Sequence, residues 1–196
     1  MADHKSFLSE VDEEKVAALL EEVANNSAQF TETVSRVVAS YSRDLDELMA
    51  DIYTAVTQED VITTDGIERY YAELTSMLYF MGDKLERLNV ESDMAKAAAK
   101  DVYNKAYLAA CSEKDEKGKS IRTVAENTSV AETSTQYNSV VSQVYEHAYR
   151  AVKSKVDAAS EMVSTLKHIL RKRVSDEYLN NQLASMKMVQ GEGTFD

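Results

Sequence analysis

Apolar residues recur at intervals of three and four through most of this chain, the repeat expected of helices that each bury one face. The cleanest run is Ile67, Tyr71, Leu74, Leu78, Met81, Leu85 and Leu88, the a/d seam of a heptad coil. The same frame continues through Ser92, Ala95, Ala99, Val102, Ala106 and Ala109, where the side chains become small and a partner helix can approach closely. The pattern predicts either one helix over 67–109 or two helices in phase, interrupted near Asn89-Val90-Glu91-Ser92. A second run, Val141, Tyr145, Ala148, Val152, Val156, Ala159, Val163, Leu166, Leu170 and Val174, departs from strict alternation by extra steps of four, the mark of a slightly unwound coil.

The segment between the two seams, SEKDEKGKS over 112–120, is charged, contains Gly118 and has no apolar period, so it reads as a loop. A short helix is expected over 120–127, and Ser129 with Glu132 has the spacing of a capping box for the long helix that follows. Fewer than 20 residues join the seams, so the two long helices should fold back antiparallel.

Upstream, Ser9 and Asp12 precede Val16, Leu19, Leu20 and Val23, predicting a first helix that stops at Asn25-Asn26. A second is expected over 27–57, where Phe30, Val34, Val37, Val38, Tyr41, Leu45, Leu48, Met49, Ile52, Tyr53 and Val56 recur at threes and fours. Asp65, three residues before Glu68, should cap the next helix. The expected fold is all-α: an elongated helical bundle, or coiled-coil-like antiparallel helical hairpin with N-terminal helices. Its parts would be acidic N-terminal helices (1–64), the hairpin (65–190) and a disordered tail (191–196).

Composition strengthens the helical reading, since 196 residues include no proline and five glycines. The net charge of -12 opposes indiscriminate polyanion binding. That charge is unevenly distributed. Residues 1–100 hold nine Lys/Arg against 21 Asp/Glu, whereas 101–196 hold 13 of each, so an anion site belongs in the second half. The single cysteine, Cys111, excludes an internal disulfide framework. With no basic and apolar leader and no run of about 18 apolar residues, the expected location is the cytoplasm, that of a host cell if the chain is phage-encoded, with no membrane contact.

Enzyme chemistry finds little foothold. The glycines lie at 66, 82, 118, 191 and 193, so no Gly-rich phosphate loop is present. His4, His147 and His168 lack the spacing by which a helix aims two ligands at one metal, and neither a metal nor any other cofactor is expected. Cys111 in an alanine-rich helix reads as a packed thiol. The more promising feature is basic: Lys114, Lys117, Lys119 and Arg122 near the turn, then Arg150, Lys153, Lys155, Lys167, Arg171, Lys172 and Arg173 along the last helix. Interleaved Tyr103, Tyr107, Tyr137, Tyr145 and Tyr149 offer stacking surfaces of the kind that single-stranded nucleic-acid binders use. The structural alternative is that these cations pair with helix acids, and that Arg171-Lys172-Arg173 complements a helix C-terminus near Val174. The acidic first half offers another reading, docking onto a basic protein.

The order of parts over 99–174 is a helix with DVYNKAYL, a charged turn, a short helix with IRTVAEN, then a long helix ending KSKVDAASEMVSTLKHILRKR. In this it resembles the UvsY-type helical phage recombination mediators. The resemblance covers the C-terminal half. It implies homo-oligomerisation, contact with single-stranded DNA through Lys119, Arg122, Lys153, Lys155, Arg171 and Arg173, and partnership with a recombinase. The expected function is therefore that of a non-enzymatic accessory protein for single-stranded DNA or its recombinase. The alternative is an acidic helical interaction module, such as an inhibitor of a host nucleic-acid enzyme or a virion component.

Overall fold

Three helices account for nearly all of the chain described by the structure, a computed structural model covering residues 13–57, 62–114, 116 and 118–191. They are α1 (Glu13–Thr57), α2 (Thr64–Ser112) and α3 (Val124–Gly191). No strand occurs among the described residues; the nearest approach is a single backbone bridge between Lys114 and Ser120. The all-α expectation therefore holds.

The helix ends differ from the expected ones in ways that local chemistry explains. α1 runs straight through Asn25-Asn26, where a stop was expected. Asparagine costs a helix interior only about 0.7 kcal/mol or less relative to alanine, and neither glycine nor proline is nearby to enforce a break. The expected start at Ser9 and Asp12 lies outside the described residues. α2 begins at Thr64, three residues before the predicted 67, because Thr63 rather than Asp65 is its cap: the Thr63 hydroxyl accepts the Gly66 N–H at 3.1 Å. It then continues unbroken through Asn89-Ser92 to Ser112.

α3 starts at a capping box formed by Thr123 and Glu126, not by Ser129 and Glu132. The Thr123 hydroxyl accepts the Glu126 N–H at 3.3 Å, and the Glu126 carboxylate accepts the Thr123 N–H at 2.7 Å. Asn127, Ala131 and Thr135 then lie buried at steps of four, so Ser129 falls within a continuous helix. α3 ends at Gly191, well past Val174, so the first residue of the tail predicted at 191–196 is helical, and 192–196 lie outside the described residues.

Two compact units emerge, each drawing on all three helices. Unit 1 combines Met1–Ala39 with Ser92–Ala148, and unit 2 combines Ser40–Glu91 with Tyr149–Asp196. In unit 1, Lys96 meets Glu146 at 3.7 Å and Cys111 accepts from Asn127 at 3.3 Å, so α2 and α3 run antiparallel. Gly118, with φ of 75°, lets the connecting turn reverse, since that backbone region strains any residue carrying a Cβ. Ile121 N–H to Glu113 O at 3.2 Å and an Arg122–Glu113 ion pair at 2.7 Å close the turn.

In unit 2, Tyr41 donates to Glu91 at 2.7 Å and Lys84 to Asp44 at 3.2 Å, so α1 and α2 are antiparallel. Its core is Leu45, Leu48, Ile52, Ile67, Leu74, Met81, Leu88, Val152, Ala159 and Leu166. Each large side chain here contributes about 1.5–3 kcal/mol by leaving water. The predicted seam of α2 thus holds through Leu88 and Ser92, then drifts until Ala110 is buried and Ala109 is exposed. In α3 the buried line passes through Ser142 and ends before Val174, which is 55% exposed.

Candidate nucleic-acid interface

The cations expected at the site divide between the two units and between two kinds of environment. Lys114, Lys119 and Arg122 lie at the turn of unit 1; Lys117 is outside the described residues. Arg122 is committed to Glu113, and Lys119 also has an interaction of its own. Of the tyrosines proposed as stacking surfaces, Tyr103 and Tyr107 in unit 1 stack on each other, with centroids 6.3 Å apart and planes 10° from parallel. The Cys111 thiol beside Tyr107 raises the phenol above its ordinary range, through charge repulsion first and a side-chain hydrogen bond second. Tyr137 is exposed in the same unit, while Tyr145 and Tyr149 are half-buried.

On α3 of unit 2 the helical period sorts the remaining cations by face. Lys155 points to α1, where its ammonium donates to Asp46 at 2.5 Å and to the buried Ser42 hydroxyl at 3.1 Å. Arg173 donates to the Ile62 carbonyl at 2.6 Å, just before α2 begins. Both cations therefore hold helices together. Arg150 and Arg171 lie opposite the buried Val152, Ala159 and Leu166, and Lys153 and Lys167 lie about 100° round from that line; all four are exposed. Lys172 is also exposed, about a quarter-turn or more away from that line.

The outer line is itself a regular heptad row. Arg150, Lys153, Asp157, Ser160, Ser164, Lys167, Arg171, Val174 and Tyr178 are spaced alternately three and four, and every one is exposed. It holds four cations against one acid and covers ~42 Å of helix at 1.5 Å per residue. Tyr178, 63% exposed at the end of the row, supplies the aromatic surface that the sequence reading sought elsewhere. The signal for it was present in the 3-4 spacing from Arg171, beyond the point where the inner apolar seam ended.

Among the described residues no group of three or more His, Cys, Asp and Glu side chains is placed to hold a metal ion. His147 instead packs edge-on against Phe30, with ring centroids 5.6 Å apart. No helix among the described residues is long and apolar enough to cross a membrane. Comparisons with family models, curated proteins and solved structures find no match for the chain.

Proposed function

We propose that this chain is a non-enzymatic accessory protein that holds single-stranded DNA along the outer face of α3 in unit 2 and works beside a recombinase. The observation that supports the reading is the exposed row from Arg150 to Tyr178, in which Lys153, Lys167 and Arg171 are exposed and Arg150, exposed as well, keeps an interaction of its own, while Lys155 and Arg173 on other faces tie α3 to α1 and to the Ile62 carbonyl. Phosphates would lie against Arg150, Lys153, Lys167 and Arg171, and Tyr178 would stack on a base, while the Ser160 and Ser164 hydroxyls donate within the helix, to the Val156 and Ser160 carbonyls at 3.0 and 3.3 Å. Against a net charge of -12, such binding should be weak and steeply dependent on salt.

Anisotropy titration of a labelled oligonucleotide at several salt concentrations tests this. The triple variant Lys153→Glu, Lys167→Glu and Arg171→Glu should abolish binding, and each single variant should lower the slope of log K against log salt by about 0.7. Lys172→Glu, off the row, should have the smaller effect. Absence of binding by the full chain at low salt would remove the DNA reading.

A second reading is supported by unit 1, where residues 20–29 of α1 are exposed throughout and Leu20 and Val23 are each 64% exposed beside Glu21 and Glu22. An acidic helix with uncovered apolar positions suits docking onto a basic protein surface. It would be favoured if Leu20→Ser with Val23→Ser released a bound basic protein while Lys153→Glu did not.

A further inference from the structure

α2 of unit 2 carries two heptad rows, of which its own core uses one. Ile67, Leu74, Met81 and Leu88 face inward, each no more than 1% exposed. On the outward side of the helix, with Ser76, Asp83 and Val90 opposite that line and Phe80 and Arg87 about 100° round from it, these five residues repeat at alternating fours and threes, and all are exposed. Phe80 and Val90 retain 60% and 48% of their surface, and Tyr79, 77% exposed, sits edge-on to Phe80 with centroids 5.4 Å apart. A row of this kind is what a helix needs in order to meet another helix.

The row is complementary to itself when reversed. Phe80 lies five residues before position 85 and Val90 five after; Asp83 lies two before and Arg87 two after. We infer that two copies of this chain associate through this face of α2, antiparallel about a two-fold axis level with residue 85. Phe80 of each copy then meets Val90 of the other, and Asp83 of each meets Arg87 of the other, an isologous contact in which one patch serves both copies. A parallel pairing would set Asp83 on Asp83 and Arg87 on Arg87, so this one charge pair selects both direction and register. Arg87 reaches its own Glu91 through Nε at 3.2 Å, and Tyr41 holds that carboxylate at 2.7 Å. A guanidinium has five N–H donors, so Arg87 keeps Glu91 while accepting the second carboxylate. The DNA-binding reading is not required, because it uses the outer row of α3 and this contact uses α2.

Sedimentation equilibrium of the full chain without nucleic acid, over about 1–100 µM, reads the association directly. The wild type should form dimers in that range, and Phe80→Glu should be monomeric throughout it. Asp83→Arg and Arg87→Asp, each placing like charges opposite one another, should raise the dimer Kd about tenfold or more. The double variant Asp83→Arg with Arg87→Asp rebuilds the pair in reverse and should return to within about threefold of the wild type. Circular dichroism checks that each variant keeps its helix, and Val90→Glu probes the same face should one of them unfold. The inference is overturned if the wild type stays monomeric, if the single charge variants associate as the wild type does, or if the double variant is as weak as the singles.

Discussion

The two units use the same three helices to build different interiors. Unit 2 is filled by Leu45, Leu48, Ile52, Ile67, Leu74, Met81, Leu88 and Leu166, whereas the buried positions of unit 1 are Val38, Ala110, Ala131, Val144 and Ala148 together with Ser92, Asn127, Thr135 and Ser142. A large-residue core gains its stability from apolar area removed from water. A small-residue seam removes less area and relies on close backbone approach and on satisfied polar groups. Thr135 illustrates the second case, its hydroxyl donating back to the Ala131 carbonyl at 2.7 Å. Asn127 is the exception: its amide donates to Cys111 at 3.3 Å while its Oδ1 is buried without a partner. Stability should therefore be concentrated in unit 2 and geometric specificity in unit 1.

The largest effect should come from opening the unit 2 core. Leu74 and Leu88 are each 0% exposed, and Leu→Ala at such sites costs about 2–5 kcal/mol through lost transfer energy and the cavity left behind. Urea denaturation of Leu74→Ala and Leu88→Ala should show losses in that range. A loss under about 1 kcal/mol would mean that this core is not where the stability resides.

Unit 1 should fail in the opposite sense, through excess volume. Ala131 and Ala148 are both 0% exposed, and Ala131→Leu should destabilise by about 1–3 kcal/mol through overpacking of the buried seam. The informative contrast is Ala131→Ser, close in volume, which should cost much less than Leu88→Ala in the same assay. If Ala131→Leu proved neutral or stabilising, the small seam would be loosely packed and the contrast between the units would weaken.

Much of this difference was legible in the sequence. The passage from Leu88 to Ser92, where the α2 seam changes from large to small side chains, marks the same place where unit 2 gives way to unit 1. The 3-4 period placed Leu74, Met81, Ala148, Val152, Ala159 and Leu166 inside. It kept Ser92 in the α2 seam but missed the polar members of the α3 seam: Asn127, Thr135 and Ser142 are buried, and an apolar pattern passes over them. It also read Asn25-Asn26 as a stop, because asparagine favours caps and turns, although a neighbouring helix-forming sequence outweighs so small a preference. For the candidate interface, residue types were visible but their partners were not. Lys155 and Arg173 looked like Lys153 and Arg171 until α1 and the Ile62 carbonyl were seen to engage them. The outer row of α2 is masked in the sequence, because the inner row by itself accounts for the 3-4 periodicity.

A smaller effect should separate the helix starts of the two units. Thr123→Ala, at the start of α3 in unit 1, should cost about 1 kcal/mol, and Thr63→Ala, at the start of α2 in unit 2, a similar amount. Only the first start depends on a carboxylate that binds its own cap. The Thr123 backbone N–H at 2.7 Å, then its hydroxyl at 3.0 Å, hold the Glu126 carboxyl below its ordinary value of 4.5, with Arg122 acting in the same direction. A carboxylate depressed in the folded chain contributes stability that is fully present above its unfolded pKa and is lost as pH falls through the folded one. Amide exchange in the first turn of α3, residues 124–128, should therefore quicken below about pH 4.5 relative to the intrinsic rate. Glu126→Gln should remove that pH dependence while leaving the Thr123 hydroxyl on the Glu126 amide position. The Thr63 hydroxyl has no proton to gain over this range, so exchange in the first turn of α2 should change less. An equal acid response at both starts would show that general charge loss, and not the Thr123–Glu126 box, governs the fraying of α3.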